Sequence, residues 1–326
     1  MKQQSFESQR EPQWTEFADQ LRRVKHGYRL AEGQDAESFV AEYRKLARDL
    51  SVARARGYSQ RLVRRLNDLV VQGHNVVYAY RDGFIRATLL FLKIGFPARV
   101  RRAWPYMLAS LGLFSVPLVG MVVTIINAPE WVYSVMSGAQ ASQLEAMYDP
   151  SVEHLGRERQ SDGDFLMFGF YIMNNISITF RLFASGLTFG LGTIFYVVFN
   201  GVYLGAATGH LLNVGFASSF FPFVVGHGAL ELTALVIAGG SGLMLGHALL
   251  APGQHGRLTA LRRIVPDAVQ LVIGAALMCL GAAFVEAFWS SSASVPVLVK
   301  FAVGGVLWVL VLGYLVLAGR GMLSGE

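Results

Sequence analysis

The stretch FFPFVVGHGALELTALVIAGGSGLMLGHALL, residues 220–250, decides the fold of this chain. It is longer than the ~20 apolar residues that cross a ~30 Å hydrocarbon core as a helix. It nevertheless contains Glu231, and a carboxylate near the centre of a membrane helix costs ~2.5 to 3.5 kcal/mol on insertion scales. We therefore expect Glu231 to be protonated, paired or turned toward a polar cavity inside a helix bundle.

The residues around this carboxylate predict which side chains share its helix face and how closely other helices pack. His227 lies four residues before Glu231, so the two side chains share one helical face. Small residues let neighbouring backbones approach closely in membranes. The glycines predicted to serve this packing are Gly226 and Gly228 beside the histidine, and Gly201 and Gly205 in the preceding apolar run.

The HxxxE spacing differs from the HExxH arrangement of zinc proteases, which places two histidines four residues apart on one helix. No metal site is predicted. No Ser-His-Asp signature, phosphate-binding loop or dinucleotide fingerprint is present, so the sequence predicts neither an enzyme nor a cofactor.

Composition favours an all-α, polytopic membrane protein. Of 326 residues 53% are hydrophobic and only 15% are charged, and 35 are glycine, which is unlike one soluble core. The single cysteine, Cys279, excludes disulfides and thiolate metal clusters within one chain.

Three regions are predicted along the chain: a cytoplasmic helical domain over 1–82, a basic amphipathic interfacial helix over 83–103, and a transmembrane bundle over 104–326. The bundle should contain about six spans, with an extracytoplasmic segment at 128–164. The predicted spans are 104–127, 165–185, 187–212, 220–250, 268–289 and 296–318.

The N-terminal domain should contain three helices, beginning at Trp14, Asp35 and Ser59 and ending near Gly27, Arg56 and Tyr80. The polar residues before Trp14 are expected to be ordered only by docking. Residues 133–147 should form an amphipathic helix outside the membrane. The alternative for 83–103 is the last helix of the soluble domain.

Charge predicts orientation. Residues 1–103 contain 20 Lys and Arg against 11 Asp and Glu, whereas 128–164 contain 2 against 7. The basic end should be cytoplasmic, which with six spans places both termini there. Because the basic residues adjoin a membrane span, the expected partner is an anionic lipid bilayer and no nucleic acid.

Several polar residues fall at similar predicted depth. Counting ~1.5 Å per residue places Asn174, Asn175, Asn200 and Glu231 within about two turns of the midplane. With His227 they would form either a hydrogen-bonded structural core or an ion or proton site. Arg181, near the far end of the second span, is assigned to the same polar core.

Two further charged residues, Glu286 and Lys300, lie near the outer ends of the last two spans. They could pair with each other or extend to the outer interface, and we expect the second.

The blocks NNISITFRLFASGLTFGLGTIFYVVFNG at 174–201, GHGALEL at 226–232 and GLMLGHALLAPG at 242–253 resemble the stage II sporulation protein M family. Trp14, EYRKLARDL at 42–50 and LNDLV at 66–70 are similar to its long-form members. The resemblance implies membrane scaffolds for cell-wall hydrolases during engulfment, and for long forms a neighbouring MoxR-type ATPase. The longer cytoplasmic start departs from the founding members and argues against a sporulation role.

Two functions follow as hypotheses. The first is an inner-membrane scaffold or assembly protein of the cell envelope, whose cytoplasmic domain binds partners and whose glycine-rich spans suit a homodimer. The alternative is a proton-coupled transporter or channel that uses the Asn, His and Glu side chains.

Overall fold

The computed structural model describes residues 3–25, 34–151, 163–292 and 294–320. Within these ranges every regular element is helical and no strand occurs, which confirms the predicted all-α class. The chain divides into two compact units, Met1–Leu90 and Phe91–Glu326.

The first unit contains α1 (Gln3–Lys25), α2 (Gln34–Ala55) and α3 (Gln60–Leu90). The apolar stripes of the three helices form one core, in which Trp14, Phe17, Phe39, Leu46 and Leu66 are buried. These helices occur where apolar periodicity predicts them.

Helix α1 begins eleven residues earlier than predicted. The opening residues were expected to be ordered only by docking, but Phe6 is buried and its ring lies 5.6 Å from the ring of Trp14. Its contacts with the rings of Trp14 and Tyr58 extend the helix through a polar sequence.

The interfacial helix predicted over 83–103 does not form as one element. Helix α3 continues to Leu90, a π-helical turn follows at Phe91–Gly95, and α4 covers Phe96–Arg102. The turn separates α3 from a short helix whose Phe96 packs onto the bundle, where a Cβ added at Gly274 would lie 2.1 Å from the ring.

The basic residues of α4 make specific contacts within the second unit. Arg99 Nε donates to Asp267 Oδ1 at 2.9 Å, and Arg101 Nη1 donates to the Leu315 carbonyl at 2.8 Å. Two arginines that the sequence assigned to lipid headgroups therefore connect α4 to two other helices of this unit, which contain Asp267 and Leu315.

The remaining elements of the second unit are α5 (Trp104–Asn127), a 3₁₀ turn (Pro129–Ser134), α6 (Gly138–Tyr148), α7 (Gly163–Ala184), a 3₁₀ turn (Ser185–Leu187), α8 (Leu191–Asn213), α9 (Ala217–Leu250), α10 (Arg257–Val285), a π-helical turn (Glu286–Ser290) and α11 (Val297–Leu317).

Five of these helices are long and apolar enough to cross a membrane, namely α5, α8, α9, α11 and α10 extended to Ser290. The 22-residue α7, predicted as the second span, is not among them. Its central Asn174 and Asn175 lower its hydropathy. Helix α7 packs along α9 and α10, so it has neighbouring helices within the bundle. The count of six crossings remains a prediction, because it requires α7 to cross as well.

Helix α9, the stretch from which the prediction began, is the central helix of the bundle. It contacts α5, α7, α8, α10 and α11. Its glycines permit this: a Cβ at Gly242 would lie 2.3 Å from the Leu182 carbonyl oxygen, and one at Gly246 would lie 2.4 Å from the Gly190 Cα.

One end of the bundle gathers α4, the start of α10, the end of α11 and the turn between α7 and α8. There Tyr106 hydrogen bonds with His247 at 2.5 Å, and the Arg257 guanidinium lies 5.7 Å from the Phe189 ring centroid. The salt bridge between Arg99 and Asp267 places residues before the first span and after the fourth at this same end.

The opposite end is covered by the segment after α5. Instead of one helix over 133–147, a 3₁₀ turn precedes α6, which Ser137 and Gln140 begin with a reciprocal capping box. That box satisfies amides at a helix start and so fixes the break between the two elements. Asn213 Nδ2 donates to the Ile125 carbonyl at 2.6 Å and joins α8 to α5 there.

Candidate functional site

A polar cluster forms where α9 crosses the end of α10. A Cβ at Gly226 would lie 2.8 Å from the Trp289 ring, so this glycine lets the π-helical turn approach α9. The turn brings Glu286 to the histidine and glutamate of α9. One donor atom from each of His227, Glu231 and Glu286 lies within 4.8 Å of the other two.

The imidazole of His227 is buried and oriented. Its Nδ1 lies 3.3 Å from Ser290 Oγ, and the Phe223 ring meets it edge-on at 5.2 Å. Because Nδ1 is engaged with the serine, Nε2 is the ring nitrogen left for the carboxylates.

Glu286 is the member that sequence analysis assigned elsewhere. It was expected to reach the outer interface, but it is only 8% exposed, and its Oε2 is buried without a hydrogen-bond partner. The π-helical geometry of its turn rotates it inward, and π-helical insertions of this kind are frequent at functional sites.

Lys300 is likewise buried, at 3% exposure, instead of reaching the interface. Its Nζ donates to the Ser290 carbonyl at 2.8 Å. This carbonyl belongs to the last turn of a helix, where unsatisfied carbonyls carry partial negative charge and favour a cation. Lys300 therefore caps the turn that carries Glu286.

Helix α7 contributes Asn175, which is 4% exposed. Its side-chain amide interacts with the Glu231 carboxyl, although Nδ2 has no hydrogen bond of ordinary geometry. Asn174 is exposed, and its Nδ2 donates to Asn175 Oδ1 at 3.0 Å. The predicted association of His227, Glu231 and Asn175 is thus present in the fold, with Asn174 at its edge.

Two other predicted residues lie outside the cluster. Asn200 donates to the Tyr196 carbonyl at 2.7 Å, one turn earlier on its own helix. Arg181 is exposed on the last turn of α7, about 9 Å along the helix from Asn175. The predicted depth of these residues in the membrane did not show which face of its helix each residue occupies.

The predicted packing glycines differ in what they touch. A Cβ at Gly201 would lie 2.3 Å from the Phe114 carbonyl oxygen, and one at Gly205 would lie 2.4 Å from the Leu118 carbonyl oxygen. Gly226 faces Trp289 as described. A Cβ at Gly228 would meet only side chains of its own helix, at 3.5 Å or more.

Other histidines have separate partners. His210 Nε2 lies 2.7 Å from Glu145 Oε1, which joins α8 to α6, and His247 pairs with Tyr106 at the far end of α9. His154, beside Glu153 in the sequence and only weak evidence for a metal site, lies outside the described residues.

Two carboxylates and one imidazole in a buried site can share protons or bind a cation. The i,i+4 spacing revealed two of these three residues, His227 and Glu231. Glu286 could have been found only by noting that it is the one acid in an otherwise uncharged predicted span.

Comparison with known proteins supports the membrane assignment. The profile of the stage II sporulation protein M family matches residues 107–291, and a domain of unknown function, DUF8413, matches residues 4–79. No curated protein and no solved structure matches the chain. The family match covers more than half of the sequence and, with the five membrane-length helices, makes this a multi-pass membrane protein. The chain belongs to the stage II sporulation protein M family.

Proposed function

We propose that this protein is a scaffold or assembly protein of the bacterial inner membrane, with both termini in the cytoplasm and an N-terminal helical unit that binds a partner. The observation that carries the proposal is a groove between α1 and α3 on that unit. Its lining residues are Ala18, Arg22, Gln60, Arg61, Arg64, Arg65, Asp68 and Leu69.

The groove is strongly basic, since it contains four arginines and one aspartate. Arg65 is held by Glu11 through two hydrogen bonds of 3.0 and 2.6 Å. Arg61 and Arg64 lie three residues apart on the same helix face and are exposed. An arginine guanidinium suits carboxylates and phosphates because it donates in a planar fork, so the groove favours an acidic segment.

The separate core of this unit also supports partner binding. Its buried aromatic residues make it a folded module, with an internal hydrogen bond between Trp14 and Asp49. The family resemblance suggests a MoxR-type ATPase as a cytoplasmic partner, and α6 with its neighbours would face cell-envelope proteins. The same arginines could also contact anionic lipid.

The experiment measures binding of a purified MoxR-type ATPase to the full-length protein in nanodiscs made only of zwitterionic lipid. We expect the double change Arg61→Glu and Arg64→Glu to weaken binding at least about tenfold, in line with two lost charge-assisted contacts. Arg44→Glu with Arg48→Glu on α2 makes the same change in net charge and should have little effect.

Equal weakening by both double variants would show a general effect of charge and would contradict the groove. The proposal also fails if the ATPase does not bind in zwitterionic nanodiscs and the protein instead binds anionic lipid in the absence of the ATPase. The arginines would then serve the bilayer.

A second candidate function, proton-coupled transport or a channel, is favoured by the polar cluster itself. Ionisable side chains inside membrane bundles commonly mark ion or proton pathways. Glu231→Gln separates the two functions, because glutamine preserves shape and hydrogen bonding. A scaffold should keep its assembly and stability, whereas a proton-coupled carrier should lose pH-dependent flux in reconstituted vesicles.

A glycine-packed homodimer remains part of the scaffold proposal. Crosslinking of the full chain in nanodiscs would test for the dimer. A monomer at every protein concentration would contradict the homodimer.

A further inference from the structure

Besides partner binding, the cluster at the crossing of α9 and α10 has the composition of a cation site. His227 and Glu231 come from one helix and Glu286 from another, and their donor atoms lie within 4.8 Å of one another. Donors bound to a tetrahedral ion at ~2.0 to 2.2 Å are separated by about 3.3 to 3.5 Å. Small side-chain rotations would therefore bring the three onto one ion.

The polar atoms around the cluster are incompletely satisfied. Oε2 of Glu286 is buried and has no hydrogen-bond partner. Buried polar atoms are rarely left without partners, and each exception requires an explanation. Two neighbouring carboxylates also repel each other when both are ionised, and a bound cation removes both difficulties at once.

The surroundings orient the donors in the way that metal sites require. Ser290 engages Nδ1 of His227, which leaves Nε2 to coordinate, and second-shell contacts of this kind fix the ring of a ligating histidine. Lys300 is directed to the Ser290 carbonyl instead of the carboxylates. The Lys300 ammonium is therefore engaged with the backbone of the helix turn.

The donor set indicates the class of ion. One imidazole with two carboxylates suits first-row divalent transition metals such as Zn²⁺ and Mn²⁺, whereas Mg²⁺ and Ca²⁺ prefer oxygen ligands alone. Three protein ligands also leave a coordination position open.

We propose that His227, Glu231 and Glu286 bind one divalent transition-metal ion, for which Zn²⁺ is the appropriate probe. This inference is independent of the arginine groove, since the two sites lie in different units of the chain.

The test uses the full-length protein in nanodiscs, stripped with a chelator and titrated with Zn²⁺ alone. We expect one ion per chain. His227→Gln, Glu231→Gln and Glu286→Gln should each weaken binding by about tenfold or more, since even outer-shell changes cost 10- to 100-fold. His210→Gln is the matched control, because it removes a histidine from another histidine–glutamate pair and should leave the site intact.

X-ray absorption should find a shell of nitrogen and oxygen only, at about 2.0 to 2.2 Å. A sulfur ligand would assign the ion to Cys279 and overturn the proposed ligand set. The wild-type titration decides the question even where a variant fails to fold. If the wild type binds less than a tenth of an ion per chain, or binds equally well after each monodisperse ligand substitution, the site does not exist.

Discussion

At the scale of single residues, Glu42 on α2 gives the helical unit a dependence on pH. Burial raises the pKa of its carboxyl above the ordinary value of 4.5, and the nearby Glu16 raises it further. Its Oε2 is buried without a hydrogen-bond partner. Because the folded state then binds more protons than the unfolded state above pH 4.5, the free energy of unfolding should fall as pH rises through that window.

We therefore expect Glu42→Gln to raise the thermal midpoint of the helical unit at pH 7 and to flatten its dependence on pH above 4.5. Scanning calorimetry of the full chain in nanodiscs would measure both. Asp68→Asn is the control, because it also replaces a carboxylate by an amide but at an exposed position. A wild-type midpoint that increases from pH 5 to 8, with no gain from the glutamine, would contradict the assignment.

Asp49 carries a second prediction at this scale. It is buried, and its Oδ2 accepts a 3.0 Å hydrogen bond from Trp14 Nε1. Asp49→Leu leaves that indole N–H buried without a partner, which should cost about 1 to 3 kcal/mol of unfolding free energy. Asp49→Asn retains an acceptor oxygen and should cost less, as read from urea unfolding of the full-length protein. An equal loss in both variants would assign the effect to the charge, which also lies 3.9 Å from Arg10.

Part of the polar cluster was predictable at this scale and part was not. The i,i+4 relation of His227 and Glu231 is a property of one helix, so the sequence alone establishes it. The contribution of Glu286 depends on where α10 crosses α9 and on the rotation introduced by a π-helical turn. Neither is encoded by local periodicity, which is why the predicted exposure of Glu286 was wrong.

At the scale of helices, the pair α5 and α8 tests the role of glycine. Gly201 faces the Phe114 carbonyl oxygen, which an added Cβ would approach to 2.3 Å, whereas a Cβ at Gly112 of α5 would have no neighbour within 4 Å. Gly201→Ala should therefore force the helices apart and lower the thermal midpoint.

Gly112→Ala is the matched control and should be neutral or stabilising, since alanine favours a helix over glycine by up to about 1 kcal/mol. Fluorescence-detected size exclusion after heating would compare them. Equal midpoints for the two variants would mean that α5 and α8 can separate without cost.

Helix boundaries were largely predictable because they depend on apolar length and on local stop signals. The first span, Trp104–Asn127, begins and ends at the predicted residues. The errors include α10, which begins at Arg257 instead of at 268. Tertiary contacts account for two others: Phe6 lengthens α1 through the core, and Phe96 inserts beside Gly274 and divides the predicted interfacial helix.

At the scale of the whole molecule, the number of crossings determines where the termini lie. Five helices have the length and hydropathy of spans, and α7 contains the asparagine pair that lowers its own mean hydropathy. If α7 crosses, Ser151 before it and Leu187 after it face opposite sides of the membrane. Hydropathy alone could not decide whether α7 crosses the membrane. A polar residue that contacts a neighbouring helix lowers the mean hydropathy as much as a polar residue exposed to lipid.

We expect Ser151→Cys and Leu187→Cys to react with a membrane-impermeant maleimide from opposite sides, each in a chain whose buried Cys279 is replaced by serine. Both positions are exposed. Arg262→Cys should react from the same side as Leu187→Cys, because the Arg257 guanidinium packs on the Phe189 ring at that end of the bundle. The positive-inside rule predicts that this side is cytoplasmic. Labelling of Ser151→Cys and Leu187→Cys from one side would reduce the count to five and place the two termini on opposite sides.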